Sequence, residues 1–136
     1  MAAITRFEDI EAWQQARTLA GEVYALCRTD DLARDRGLRD QMQRAAVSVM
    51  ANIAEGFGRH GRKELIQFLK IARGSCTELQ SHLYLAMDAD LLTGEQFSAI
   101  QAQATLTGRK ISGFISYLAS QDGISNSGQV KDEFQL

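Results

Sequence analysis

Residues 62–89 read RKELIQFLKIARGSCTELQSHLYLAMDA, and their spacing decides the fold. Leu65, Phe68, Leu69, Ala72, Cys76, Leu79, Leu83 and Ala86 recur at steps of three and four, the period of one helix face and not of a strand. At ~1.5 Å per residue, such a helix runs about 40 Å and needs partners of similar length along its apolar stripe. The flanking sequence supplies three. Upstream, Leu38–Glu55 carries Leu38, Met42, Ala45, Val49 and Ile53 on one face, and the glycines of GFGRHG (56–61) are predicted to end it. Further upstream, residues 7–28 carry Phe7, Ile10, Trp13, Ala16, Leu19 or Ala20, Val23, and Leu26 or Cys27, while 30–37 lack an apolar period and read as a connection. Downstream, Phe97, Ile100, Ala104, Ile111, Phe114 or Ile115, and Leu118 form a fourth stripe, with Thr93 and Gln96 placed as a capping box. The expectation is an all-α, antiparallel up-down four-helix bundle spanning residues 1–120, with a polar tail at 121–136.

Composition narrows the classes. The chain has 136 residues, 45% of them hydrophobic and 24% charged, a net charge of −2 and no proline. That is one domain's length with an ordinary apolar content, so a disordered chain is excluded. The N-terminal MAAITRFEDIEAW carries acids where a secretory leader carries a basic segment and an apolar core. Cys27 and Cys76 are too few for a disulfide framework, and both fall on apolar stripes. A cytoplasmic, non-membrane protein is expected.

Charge is unevenly placed. Residues 34–73 hold nine cations against four carboxylates, a net of +5, which leaves −7 for the remainder. A basic middle in an acidic chain points to an anionic partner, with Arg39, Arg44, Arg59, Arg62, Lys63, Lys70 and Arg73 as the candidate RNA- or DNA-binding residues. The second helix has a further property. Opposite its core face lie Val47, Met50, Ala51 and Ala54, which a lone bundle would leave in water and a second copy of the chain would cover. Between these faces runs a polar row of Gln41, Arg44, Ser48, Asn52 and Glu55.

Catalytic and metal chemistry find no constellation. Gly56-Phe57-Gly58-Arg59-His60-Gly61 fits GxGxxG literally, but a helix precedes it where a dinucleotide site needs a strand. What survives is a glycine-rich turn near Arg59, Arg62 and Lys63, either a phosphate cradle or a solvated inter-helix turn. His60 and His82 have no zinc-ligand spacing, and neither Ser75 nor Cys76 has a base in its local sequence. Asn52 and Glu55 share a flank, and one amide with one carboxylate makes neither a metal site nor an acid–base pair. Gly74-Ser75 is read as a point of close helix approach, and Trp13 as core. No enzymatic activity, metal or cofactor is expected.

Phe7-Glu8-Asp9-Ile10, Ala12-Trp13-Gln14, Arg44-Ala45-Ala46 and above all Asn52-Ile53-Ala54-Glu55-Gly56 with Gly58-Arg59 resemble the four-helix-bundle family first met as open reading frames in intervening sequences of bacterial 23S rRNA genes. Phe68-Leu69, Ile71-Ala72-Arg73-Gly74-Ser75 and Glu78-Leu79 continue the resemblance, which covers roughly residues 7–118. It implies a bundle commonly assembled as a ring of five, with Asn52, Glu55 and Gly56 as motif residues and no assigned enzymatic activity. The architecture is also similar to the accessory variability protein of diversity-generating retroelements, a pentameric barrel that binds nucleic acid. The function expected is therefore a non-enzymatic homo-oligomer binding RNA or DNA through phosphates, with a scaffold that docks a partner protein as the alternative.

Overall fold

Leu38, Met42, Ala45, Val49 and Ile53 are all buried, as are Leu65, Leu69, Ala72, Cys76, Leu79, Leu83 and Ala86. Both stripes face one core. The computed structural model describes residues 4–122, and its elements are a 3₁₀ turn (Phe7–Asp9), α1 (Glu11–Cys27), α2 (Asp30–Arg34), α3 (Arg36–Gly58), α4 (Arg62–Asp88) and α5 (Gly94–Asp122). The four long helices run up and down, each packed on its two neighbours, with α5 closing back onto α1. No strand occurs among the described residues.

Side-chain hydrogen bonds cross the seams between helices. On α1–α3 the Cys27 thiol makes a long contact with Arg39 O at 4.0 Å. On α3–α4 the Ser48 and Ser75 hydroxyls are 2.7 Å apart. On α4–α5, Gln101 Nε2 donates to the Gln80 carbonyl at 3.0 Å, and the Cys76 thiol donates to Ala104 O at 3.3 Å. On α1–α5, Gln103 Nε2 donates to Gln15 Oε1 at 2.9 Å, while the wholly buried Thr107 hydroxyl lies 3.3 Å from Gln15 O and 2.8 Å from Gln103 O. A buried polar group left without such a partner would cost roughly 1–3 kcal/mol.

Several boundaries differ from the periodicity reading. The first helix begins at Glu11 and not Phe7, because Ile10 is extended (φ −79°, ψ 119°) and buries its side chain at the bend. Phe7 folds back edge-on to Trp13, with ring centroids 5.0 Å apart. The connection at 30–37 contains α2, pinned by a single fully buried apolar residue, Leu32. One residue has no period, so spacing could not find it. Asp35 then starts α3, its Oδ1 accepting from Leu38 N at 3.1 Å, a standard N-cap bond.

The glycines of GFGRHG do not end the helix where expected. α3 continues through Gly56 and Phe57 to Gly58, and the left-handed residue of the turn is His60, with φ 60°. Gly56 serves packing instead: a Cβ there would lie 2.6 Å from Phe68 Cβ and 3.1 Å from Leu65 Cδ1, so α4 crosses α3 closer than any side chain allows. Gly74 is the reverse case. It is exposed, and an added Cβ would meet nothing within 4 Å, so of the Gly74-Ser75 pair it is Ser75, 2.7 Å from Ser48, that meets α3. The capping box at α5 forms as expected, with Thr93 N donating to Gln96 Oε1 at 2.9 Å and Gln96 N to Thr93 Oγ1 at 3.1 Å. α5 continues through Gln121 and Asp122, two residues into the expected tail, and the rest of that tail lies outside the described residues.

Candidate nucleic-acid interface

The seven candidate cations do not form one patch. Arg39 and Arg59 lie at opposite ends of α3, about 30 Å apart at 1.5 Å per residue. Arg39 ties α2 to α3: Nη1 donates to the Ala33 carbonyl at 2.8 Å, and the guanidinium sits 3.4 Å from Asp40 Oδ1. Arg44 is exposed, but on a different face, in a shallow depression with Tyr24, Asp40 and Val47 along α1–α3. Arg59 is exposed but neutralised, its Nη2 2.8 Å from Glu55 Oε2 and its guanidinium 5.2 Å above the Phe68 ring. The Glu55 hydrogen bond and charge push the Arg59 pKa above its ordinary value.

Arg62 corrects the sequence reading outright. At 4% exposure it is buried at the start of α4 and offers almost no surface to a phosphate. Lys63 and Lys70 are exposed on the same helix and have no carboxylate within 4.0 Å among the described residues. Arg73 is half-buried, its Nη1 3.4 Å from Ser112 Oγ on α5.

Helical geometry sorts α4 into lanes. At about 100° per residue, Lys63, Lys70, Gly74, Thr77 and Ser81 share one lane, with Arg73 along its α5 edge. All five are exposed, and the lane meets no carboxylate before Asp88. Glu64 and Glu78 fall toward α3, where Glu78 Oε2 meets His82 Nε2 at 3.2 Å. The bare backbone at Gly74 lies between Lys70 and Thr77. Of the candidates, the structure therefore gathers Lys63, Lys70 and Arg73.

The motif residues Asn52, Glu55 and Gly56 are used by the fold. Asn52 Nδ2 donates to Ser48 O at 2.8 Å and to Ser48 Oγ at 3.0 Å, fixing the hydroxyl that meets Ser75. Glu55 holds Arg59 across the last turn of α3, and Gly56 admits Phe68.

The far face of α3 divides. Val47 (42% exposed) and Ala51 face solvent, whereas Met50 and Ala54 are half-buried against the protein's own core. α1 adds Tyr24, 40% exposed beside Val47. Sequence reading missed it because it lies one residue off the stripe that buries Val23.

Both thiols are core groups. Burial pushes Cys27 up to about 11 and Cys76 up to about 11. No group of three or more His, Cys, Asp or Glu side chains suited to a metal ion occurs among the described residues. Among the same residues, no helix is long and apolar enough to cross a membrane.

Against known proteins, the family model for the 23S rRNA-intervening sequence protein matches residues 8–113. No curated protein matches the chain. Among solved structures, the fold is similar to a protein of unknown function from the S23 ribosomal protein family of Bacteroides thetaiotaomicron. The TM-score is 0.70 at 22% identity, covering 76% of this chain and 97% of that one.

Proposed function

The chain belongs to the 23S rRNA-intervening sequence protein family, and on that premise we propose that it is a non-catalytic, self-associating bundle that binds RNA or DNA through phosphates along α4. The observation that carries this reading is the lane of Lys63 and Lys70, edged by Arg73, without a carboxylate until Asp88. Lys63 and Lys70 are seven residues apart, about 10 Å along the helix, a span of roughly three phosphates at ~3.4 Å of axis each along one duplex strand. Gly74 supports it. A mid-helix glycine costs about 1 kcal/mol relative to alanine and here gains no packing in return, while leaving bare backbone for a ligand to approach. Contacts of this kind are sequence-independent and salt-dependent, because binding releases counterions.

The test is a titration of labelled single-stranded RNA and of duplex DNA over a salt series. The wild-type chain is expected to give a straight fall of log affinity against log salt. Replacing Lys63, Lys70 and Arg73 by alanine together should weaken binding and flatten the duplex slope by about 0.9 for each phosphate no longer neutralised. Unchanged affinity and slope in that variant would refute the assignment.

Self-association is read from the exposed Tyr24–Val47 pair on the α1–α3 seam, with a ring of five as the number the family resemblance implies. Val47→Glu with Ala51→Glu should reduce the mass measured by light scattering at unchanged helicity. Met50 and Ala54 are poor choices for this test because they also pack inward. A mass unaffected by the two glutamates would remove this face from the assembly.

A further inference from the structure

Between the N-terminal segment and the C-terminal half of α5 lies a groove of about 670 Å³, within the ~300–1,000 Å³ range of small-molecule sites. Its walls are Ile4, Ile10, Leu106, Phe114 and Tyr117. Ile10 is core, while Leu106 stands 39% exposed along the opening. Gly113 leaves one stretch of wall bare: an added Cβ there would meet nothing within 4 Å.

Four charged side chains line the opening, and three are paired. Lys110 Nζ is 3.2 Å from Glu11 Oε2, and Asp9 Oδ1 is 3.9 Å from Arg6 Nε, a guanidinium shared with Glu8 at 3.5 Å. Arg109, exposed, has no carboxylate within 4.0 Å among the described residues. The cation at the rim without a carboxylate partner is therefore the Arg109 guanidinium, above an apolar trough, with the Tyr117 side chain forming part of the same wall. A neutral apolar ligand would leave that charge unanswered, and a hydrophilic anion would leave the trough empty. A polyanion would find Asp9 and Glu11 in its path.

We propose that this groove binds an amphipathic monoanion of the acyl-carboxylate class, its hydrocarbon against Ile4, Leu106 and Phe114 and its carboxylate on Arg109. The site is separate from the α4 lane, and its test is independent of nucleic-acid binding. The probe is sodium decanoate, titrated calorimetrically below its micellar range, with 1-decanol as the uncharged counterpart. The full chain is expected to bind decanoate saturably at one site per chain. Arg109→Gln should weaken decanoate about tenfold, the equivalent of ~1.4 kcal/mol, and leave decanol unchanged. Gly113→Trp, which fills the trough from a position without steric strain, should abolish binding of both. Retained binding in Gly113→Trp, or equal loss of both ligands in Arg109→Gln, would overturn the site or its charge preference. Absence of saturable binding to the wild-type chain would also overturn it. A lower particle mass for Gly113→Trp would overturn it too, by showing that a second copy of this chain occupies the groove.

Discussion

Replacing Gly56 by alanine sets two opposed effects against each other, and their sizes predict the winner. Helix propensity favours alanine by about 0.8–1.0 kcal/mol at an interior position. Against this, the new methyl would sit 2.6 Å from Phe68 Cβ and 3.1 Å from Leu65 Cδ1. Ordinary carbon contacts are ~3.5–4.0 Å, so α3 and α4 must separate locally by about 1 Å. A change of rotamer gives no relief, because Phe68 Cβ is fixed to its own backbone. Leu65 is fully buried and has little free space to yield. Overpacking of this kind costs about 1–3 kcal/mol, and a gap near 1 Å forfeits up to half the dispersion between the neighbouring side chains. The net expectation is destabilisation by about 1–2 kcal/mol, a melting point lower by about 3–8 °C for a domain of this size. Gly74→Ala is the matched control. Its methyl meets nothing, so helix propensity acts alone and the melting point should rise by about 3–4 °C. Far-UV ellipticity followed on heating, at one fixed protein concentration so that association does not shift the midpoint, reads both variants. A Gly56→Ala protein that melts with or above the wild type would refute the close-approach argument, as would shifts of the same sign in the two variants.

Two further outcomes are expected. Thr93→Ala removes the hydroxyl that accepts from Gln96 N and should cost about 1 kcal/mol, visible as a lower urea midpoint at unchanged slope; a midpoint equal to the wild type would mean that the box adds nothing to α5. The two thiols should resist a disulfide reagent at pH 8 in the native protein and react fully in denaturant. Because burial raises both thiols from 9.0 to about 11, unfolded thiols ionise first as pH climbs, so the stability they contribute is complete below pH 9 and is lost as pH rises through about 11. Fast native labelling of either cysteine would contradict its buried position.

Most of the helical scaffold was legible because it rests on period. Every apolar residue assigned to the core face of α3 is buried, as are seven of the eight named for α4, with Phe68 half-buried. What escaped were single-residue effects. Leu32 anchors α2 alone, and Gly56 is understood only once Phe68 faces it across the seam. The candidate site was less legible than the core. Summed charge over residues 34–73 counted Arg62 and Arg39 as surface, yet one is buried and the other holds the Ala33 carbonyl. Net charge says nothing about which cations the fold consumes. Only the angular position of Lys63, Lys70 and Arg73 around α4, with the helix axis fixed by its neighbours, separates an open lane from a set of basic residues.

The closing of α5 onto α1 sets an order of events. Three seams join long helices that are consecutive in the chain and can zip from their turns. The fourth joins Gln15 to Gln103 and Thr107, 88 and 92 residues away. Spanning about 90 residues in place of 20 adds roughly 1.3 kcal/mol of loop-closure entropy. The α1–α5 edge is therefore the last to seal on folding, and its amides are the first to exchange with solvent when the protein breathes. The buried Thr107 hydroxyl and the Gln15–Gln103 pair act as a latch for that edge: a returning helix displaced by one turn would bury them without partners, so the bundle closes in one register.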